Sequence, residues 1–209
     1  SGTGDLLDAV LAELPADAGA VEEDDSIKVA VIGKPNAGKS SLINKLLGEE
    51  RLIVSDIAGT TRDAIDTQVE CAYGNYTFID TAGLRRRARV EDVIEKYSVL
   101  RAHMAVERAD VCLLVIDATA GITEQDEHIA GIAHEAGKAC IIVVNKWDAV
   151  EKDNDSVNEF TKKIYNALSY MTYAPILFVS ALTGQRLQKL FEHINYVNGQ
   201  AKLRISTGM

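Results

Sequence analysis

Three short strings in this sequence hold residue types whose order could handle a nucleotide. GKPNAGKS, Gly33 to Ser40, has the spacing of a phosphate-binding loop: glycine, four residues, glycine, lysine, serine. Gly33 and Gly38 would let backbone N–H groups converge on phosphate oxygens, with Pro35, Asn36, Ala37 and Ser41 completing the cradle. Lys39 would reach the β- and γ-phosphates, and the Ser40 hydroxyl would hold Mg²⁺. DTAG begins at Asp80, whose carboxylate could position the same Mg²⁺ through water, while the Gly83 N–H could contact the γ-phosphate. NKWD, Asn145 to Asp148, supplies a carboxylate, and guanine offers it two parallel donors that adenine lacks. Asp148 would then read the base, Asn145 would fix the loop, and Lys146 would lie along the ring.

Two weaker strings gain meaning from these. SAL, Ser180 to Leu182, would bring the Ala181 N–H to the guanine O6. AGTTRD, Ala58 to Asp63, lies in a polar stretch where Thr61, rather than Thr60, would complete the Mg²⁺ shell and act as a nucleotide-sensitive switch. The residue after Gly83 raises a question. Nucleotide hydrolases of this kind often carry there a glutamine that orients the attacking water, but Leu84 has no hydrogen-bonding group.

Such motifs need strands that end together and helices that start beside them. Apolar runs occur at 27–32, 76–79, 111–116, 139–144 and 176–179, with helical patterns between most of them. Continuous apolar strands alternating with helices imply a mainly parallel sheet covered on both faces. GKPNAGKS follows the first run, and NKWD follows the fourth. A hairpin is expected in QVECAYGNYTFID, turning at Gly74-Asn75, at the edge of the sheet. Between 91 and 107, Ile94, Tyr97, Leu100 and Met104 recur at three- and four-residue steps, predicting the buried face of a helix.

Composition narrows the class. The chain has 209 residues, 47% hydrophobic and 25% charged, as expected for a globular α/β domain with tails. No apolar run approaches the ~18–20 residues of a membrane span, and no basic, apolar leader is present, so a cytoplasmic location is expected. Net charge is −9, but residues 1–25 hold eight acids and no Lys or Arg. The remainder carries 23 acids against 22 bases, which gives no globally basic face for DNA or RNA. Cys71, Cys112 and Cys140 lack metal-ligand spacing; Cys112 and Cys140 sit in apolar runs as buried thiols. None of the four histidines is assigned chemistry.

The five ordered motifs resemble a translation-factor-class GTPase. The longer strings GKPNAGKSSLINKLLGEERLIVSDIAGTTRD, DTAGLRRR with VEDVIEKYSVLRA, and IAHEAGKACIIVVNKWDAV are similar to the second G domain of the Der (EngA) family, over about residues 27–197. The resemblance implies an α/β P-loop NTPase fold of the Ras-like type: a six-stranded, mainly parallel sheet with one antiparallel edge strand. It implies GTP and GDP as ligands, Mg²⁺, and action in large (50S) ribosomal subunit assembly. It also divides the chain. Residues 1–14 would be the last helix of a preceding G domain, 15–25 an acidic linker, 26–198 the G domain, and 199–209 the lead into a K-homology-like domain. Thr-Gly followed by apolar residues at the same places in TGDLLDAV (3–10) and TGQRLQKL (183–190) agrees with a repeated last helix. The expected partners are the large ribosomal subunit with its rRNA and the neighbouring domains.

The same family pattern bears on Leu84, because a hydrophobic residue replaces the glutamine in these GTPases. In them a phosphate-loop asparagine helps ligate K⁺, and Asn36 matches that position; otherwise Asn36 serves only to shape the loop. Lys39, Asn36, Thr61 and Gly83 are therefore the expected catalytic set. Arg85, Arg86, Arg87 and Arg89 form either a solvated switch face or a contact for RNA or a neighbouring domain. Two other functions fit the motifs: a related K⁺-dependent GTPase in tRNA modification, and a nucleotide-sensing module whose hydrolysis is incidental.

Overall fold

The computed structural model describes residues 25–48, 52–58, 65–81, 95–151, 153 and 155–203. Seven strands are present among them: β1 (Ile27–Ile32), β2 (Ile53–Ala58), β3 (Ile65–Cys71), β4 (Gly74–Phe78), β5 (Val111–Asp117), β6 (Ala139–Asn145) and β7 (Ile176–Phe178). Five helices accompany them: α1 (Lys39–Leu47), α2 (Glu95–Arg108), α3 (Glu124–Glu135), α4 (Ser156–Ala167) and α5 (Lys189–Lys202). All five expected apolar runs are strands.

The strands form one sheet in the order β2-β3-β4-β1-β5-β6-β7. The run β4-β1-β5-β6-β7 is parallel, and β3 is antiparallel to both its neighbours. The sheet thus has seven strands, not six. The extra one, Ile53–Ala58, pairs with β3 along its whole length, so the hairpin lies one strand in from the edge. Its sequence, IVSDIA, interrupts its apolar residues with Ser55 and Asp56, which hid it as a strand. The hairpin turn also falls earlier than expected. Cys71 pairs with Gly74, so Ala72 and Tyr73 form the loop and Gly74-Asn75 open β4.

Side-chain alternation along the strands divides the core in two. One layer packs β-residues such as Ile32, Leu114 and Val144 against α2, α3 and α4. The other packs Val31, Leu113 and Val143 against α1 and α5. Cys112 and Cys140 are both buried, as expected, and are neighbours across β5 and β6.

The face assigned to α2 is wrong. Leu100 and Met104 are 58% and 45% exposed, while Ala102, Ala105 and Val106 are buried. Small side chains let this helix sit close to the sheet and to α3, and the larger ones point away. Ile94 and the Tyr97 side chain fall outside the described residues.

Candidate functional site

Strand order reverses around β1: from β1 the chain goes to the edge strand β2, returns through β3 to β4 beside β1, then crosses to β5 on the other side. Parallel α/β sheets open a crevice at the carboxyl ends of strands at such a point. β1 ends there and runs into Gly33–Gly38, with α1 starting at Lys39.

The loop is held open by its glycines. Gly33 has φ 145 and Gly38 φ 91, and a Cβ on either would lie 2.4 Å from the Val115 carbonyl oxygen or 2.3 Å from Asn145 Nδ2. Gly38 is also the N-cap of α1, and no side chain caps this helix. Its first N–H groups and the positive end of its dipole face the loop. The Lys39 ammonium donates to the carbonyls of Gly33 at 2.7 Å and Lys34 at 2.6 Å, which keeps a positive charge within the loop. Asn36 takes a left-handed backbone, φ 61, which asparagine tolerates better than most residues, and its side chain is exposed.

Asn145 joins three of the motifs. Its buried side-chain amide donates from Nδ2 to the Ala37 carbonyl at 3.1 Å, and its Oδ1 accepts from the Ala181 N–H at 3.0 Å. The phosphate loop, NKWD and SAL are therefore linked through one side chain. Trp147, 4% exposed, packs against Phe160 and Phe178 and pins the chain after Lys146. Beyond it Asp148 is exposed to solvent. Ser180 is buried and its Oγ accepts from the Thr183 N–H, closing the turn; Leu182 is 80% exposed.

Asp80 follows β4, adjacent to β1, with a left-handed backbone of φ 54. Its N–H donates to Asp66 Oδ1 at 2.9 Å, and Asp66 Oδ2 accepts from Arg108 Nη2. Thr81, 1% exposed, donates to the Ile65 carbonyl at 2.9 Å and lies 2.6 Å from the Thr67 hydroxyl. β3 and α2 thus hold the Asp80 backbone at the end of β4, and its carboxylate lies 4.0 Å from Arg101 Nη1 of α2. Ser40 stands in the first turn of α1 and Ser41 follows it, exposed. Ser40 and Asp80 each carry a hard oxygen donor of the kind Mg²⁺ takes. Among the described residues no cluster of three or more His, Cys, Asp or Glu could hold a metal alone. Thr61, Gly83, Leu84 and Arg85–Arg89 lie outside the described residues.

Three functional-looking acids escaped the sequence reading. Asp117 ends β5 opposite Asn145 and accepts from Lys146; Asp66 fixes Asp80; Asp126 pairs with Lys34 of the phosphate loop. Asp117 could have been found, because a polar residue closing a buried apolar run marks the strand end level with Asn145. Asp126 sits three residues after Thr123, the spacing of a helix-capping box. Asp66 carries no comparable local signal.

A profile described as a 50S ribosome-binding GTPase matches residues 28–146, more than half of the chain. The chain belongs to the 50S ribosome-binding GTPase family. Within it, the chain is 61% identical over 208 residues to the GTPase Der of Ruminiclostridium cellulolyticum and 58% identical over 207 residues to that of Alkaliphilus metalliredigens. These alignments cover 100% and 99% of the chain but 47% of each relative, so the chain spans about half the length of the curated relatives it matches. Among solved structures, Era in complex with MgGDPNP and part of 16S ribosomal RNA shares a TM-score of 0.61 and 29% identity, covering 88% of this chain and 59% of that one. A bacterial selenocysteine-specific elongation factor, at TM-score 0.62 and 22% identity, covering 84% of this chain and 29% of that one, shares the fold. In this GTPase-family chain the phosphate loop, NKWD and SAL meet at the Asn145 side chain.

Proposed function

We propose that this chain is a Mg²⁺-dependent G domain that binds GTP, hydrolyses it to GDP and phosphate, and serves large ribosomal subunit assembly within a longer protein. The observation that carries this is the Asn145 side chain, which ties the phosphate loop to both base-reading strings through two hydrogen bonds. A site that fixes phosphate and guanine contacts to one another selects the whole nucleotide and not its parts.

In this reading the backbone N–H groups at the start of α1 and the Lys39 ammonium hold the phosphates and balance the charge that grows on them. Ser40 and Asp80, with Thr61, would hold Mg²⁺, which would supply charge neutralisation at the phosphates. Gly83 would donate its N–H to the γ-phosphate. Asp148 accepts from the guanine edge, Lys146 lies along the ring, and Ala181 faces O6 between Ser180 and Leu182. Leu84 cannot orient water, so K⁺, which the exposed Asn36 would help to hold, would supply the assistance. In the longer protein the partners would be the 50S subunit and its rRNA, a second G domain and a K-homology-like domain, all in the cytoplasm.

Single-turnover GTP hydrolysis in K⁺ and in Na⁺, with and without 50S subunits, tests this. Faster turnover in K⁺ is expected, and Asn36→Gly, which keeps the left-handed backbone free of strain, should lose that preference. Equal rates in both salts would remove K⁺ from the mechanism. Failure to bind GDP in Mg²⁺ would end the G-domain reading itself.

A further inference from the structure

Lys146 does not extend freely toward the crevice. Its backbone is left-handed, φ 60, which turns the side chain back over the end of β5. There its ammonium donates to Asp117 Oδ2 at 2.6 Å. The other oxygen, Oδ1, accepts from both the N–H of Thr119 at 2.9 Å and its hydroxyl at 2.6 Å. Along the way Lys146 Cε passes 3.8 Å from the point where a Cβ on Gly38 would stand. The stem therefore runs from the end of β6, over the phosphate loop, to the end of β5. Its far end is clamped.

The clamp is asymmetric. The Asp117 side chain is 10% exposed and that of Lys146 39%. Burial pushes the Asp117 carboxyl up, but hydrogen bonds from Lys146 and Thr119 outweigh it and hold the group below the usual carboxylate value. A buried, oriented anion thus fixes a half-exposed cation.

We propose that Asp117 is a positioning residue for guanine-nucleotide binding, anchoring the Lys146 ammonium so that the lysine stem forms a preformed apolar rail for the base. An unanchored lysine would have to give up rotamer freedom when a base covers it, and that loss would weaken binding. Asp117 imposes the ordering before the nucleotide arrives. It touches neither base nor phosphate in this arrangement and acts only through Lys146. The inference rests on the guanine-nucleotide reading above.

The test is GDP and GTP affinity, in Mg²⁺, for wild type, Asp117→Asn, Lys146→Met and the double variant. Asparagine keeps the oxygen that accepts from Thr119, and methionine keeps an apolar stem without the ammonium. Asp117→Asn should weaken GDP and GTP alike by about tenfold, the scale of one charge-assisted contact. The loss should fall on Kd and KM and not on kcat. The double variant should bind no more weakly than Lys146→Met alone, because both changes break one contact. Losses that multiply would overturn the proposal. So would Asp117→Asn that melts early yet binds GDP as wild type does, since Asp117 would then only hold the turn at Thr119. If the Asp117→Asn chain does not fold, Lys146→Met decides, and unchanged GDP affinity in it overturns the proposal. Absence of GDP binding by wild type would instead refute the guanine-nucleotide reading.

Discussion

Lys34 of the phosphate loop is ion-paired to Asp126 of α3, with Nζ 3.2 Å from Oδ2. The lysine side chain is 13% exposed and the carboxylate fully buried. The same oxygen accepts from the N–H and hydroxyl of Thr123, the N-cap of α3, while Oδ1 makes no hydrogen bond among the described residues. One carboxylate therefore starts a helix and tethers the loop expected to hold phosphates. α3 also packs against α2, so the loop's tether rests on a helix held in the core.

Removing one partner of this pair should cost more than removing both. Lys34→Met leaves a buried carboxylate with only its capping bonds, and a loss of about 3 kcal/mol is expected, near the lower end for a broken buried pair. Asp126→Asn added to it keeps an acceptor for Thr123 without the charge, and should recover part of that loss. Urea unfolding of the two variants and wild type measures this; equal stability of the single and double variants would contradict it.

Gly38, like Gly33, is a position in the phosphate loop that has no room for a side chain. Its φ of 91 strains any side chain, and a Cβ would meet the Asn145 amide nitrogen at 2.3 Å. Gly38→Ala must therefore push Asn145 off Ala37 or Ala181. Backbone strain of about 1–3 kcal/mol lowers folding stability, while the lost Asn145 link, about 1–3 kcal/mol, implies nucleotide affinity weaker by roughly tenfold or more. Titration with fluorescent GDP would show this, with far-UV circular dichroism establishing that the sheet persists.

Asp117 also sets an acid limb of stability. Burial alone would raise its carboxyl, but Lys146 and Thr119 outweigh it and lower the folded-state value. A depressed carboxyl contributes stability that is present above the unfolded value, ~3.9, and is lost as pH falls through the folded one. Wild type should therefore exceed Asp117→Asn in melting temperature at neutral pH, and the gap should close below about pH 4. A gap that stays constant to pH 2 would contradict the assignment.

Legibility in the sequence followed periodicity. The parallel strands were readable because burial on both faces makes them continuous apolar runs, as in VCLLVID and ACIIVVN. The phosphate loop and NKWD were readable because chemistry fixes their spacing. β2 was not, since a strand on the sheet's edge with Ser55 and Asp56 within it carries no such run. Asp66 and Asp126 were not, because their partners Arg108 and Lys34 are distant in sequence and only the fold brings them together.

The α2 error has a physical cause that can be measured. Large apolar residues at helical spacing suggested a buried stripe, yet the stripe that meets the sheet is made of Ala102, Ala105 and Val106. Close helix–sheet approach favours small side chains, and a larger one has no room. Leu100→Gln and Met104→Gln, both exposed, should change stability by about 0.5 kcal/mol or less. Ala105→Leu, at 9% exposure, should destabilise by about 1–3 kcal/mol through overpacking. Thermal or urea unfolding decides: a large loss from Leu100→Gln with tolerance of Ala105→Leu would mean that the helix is rotated from the position described.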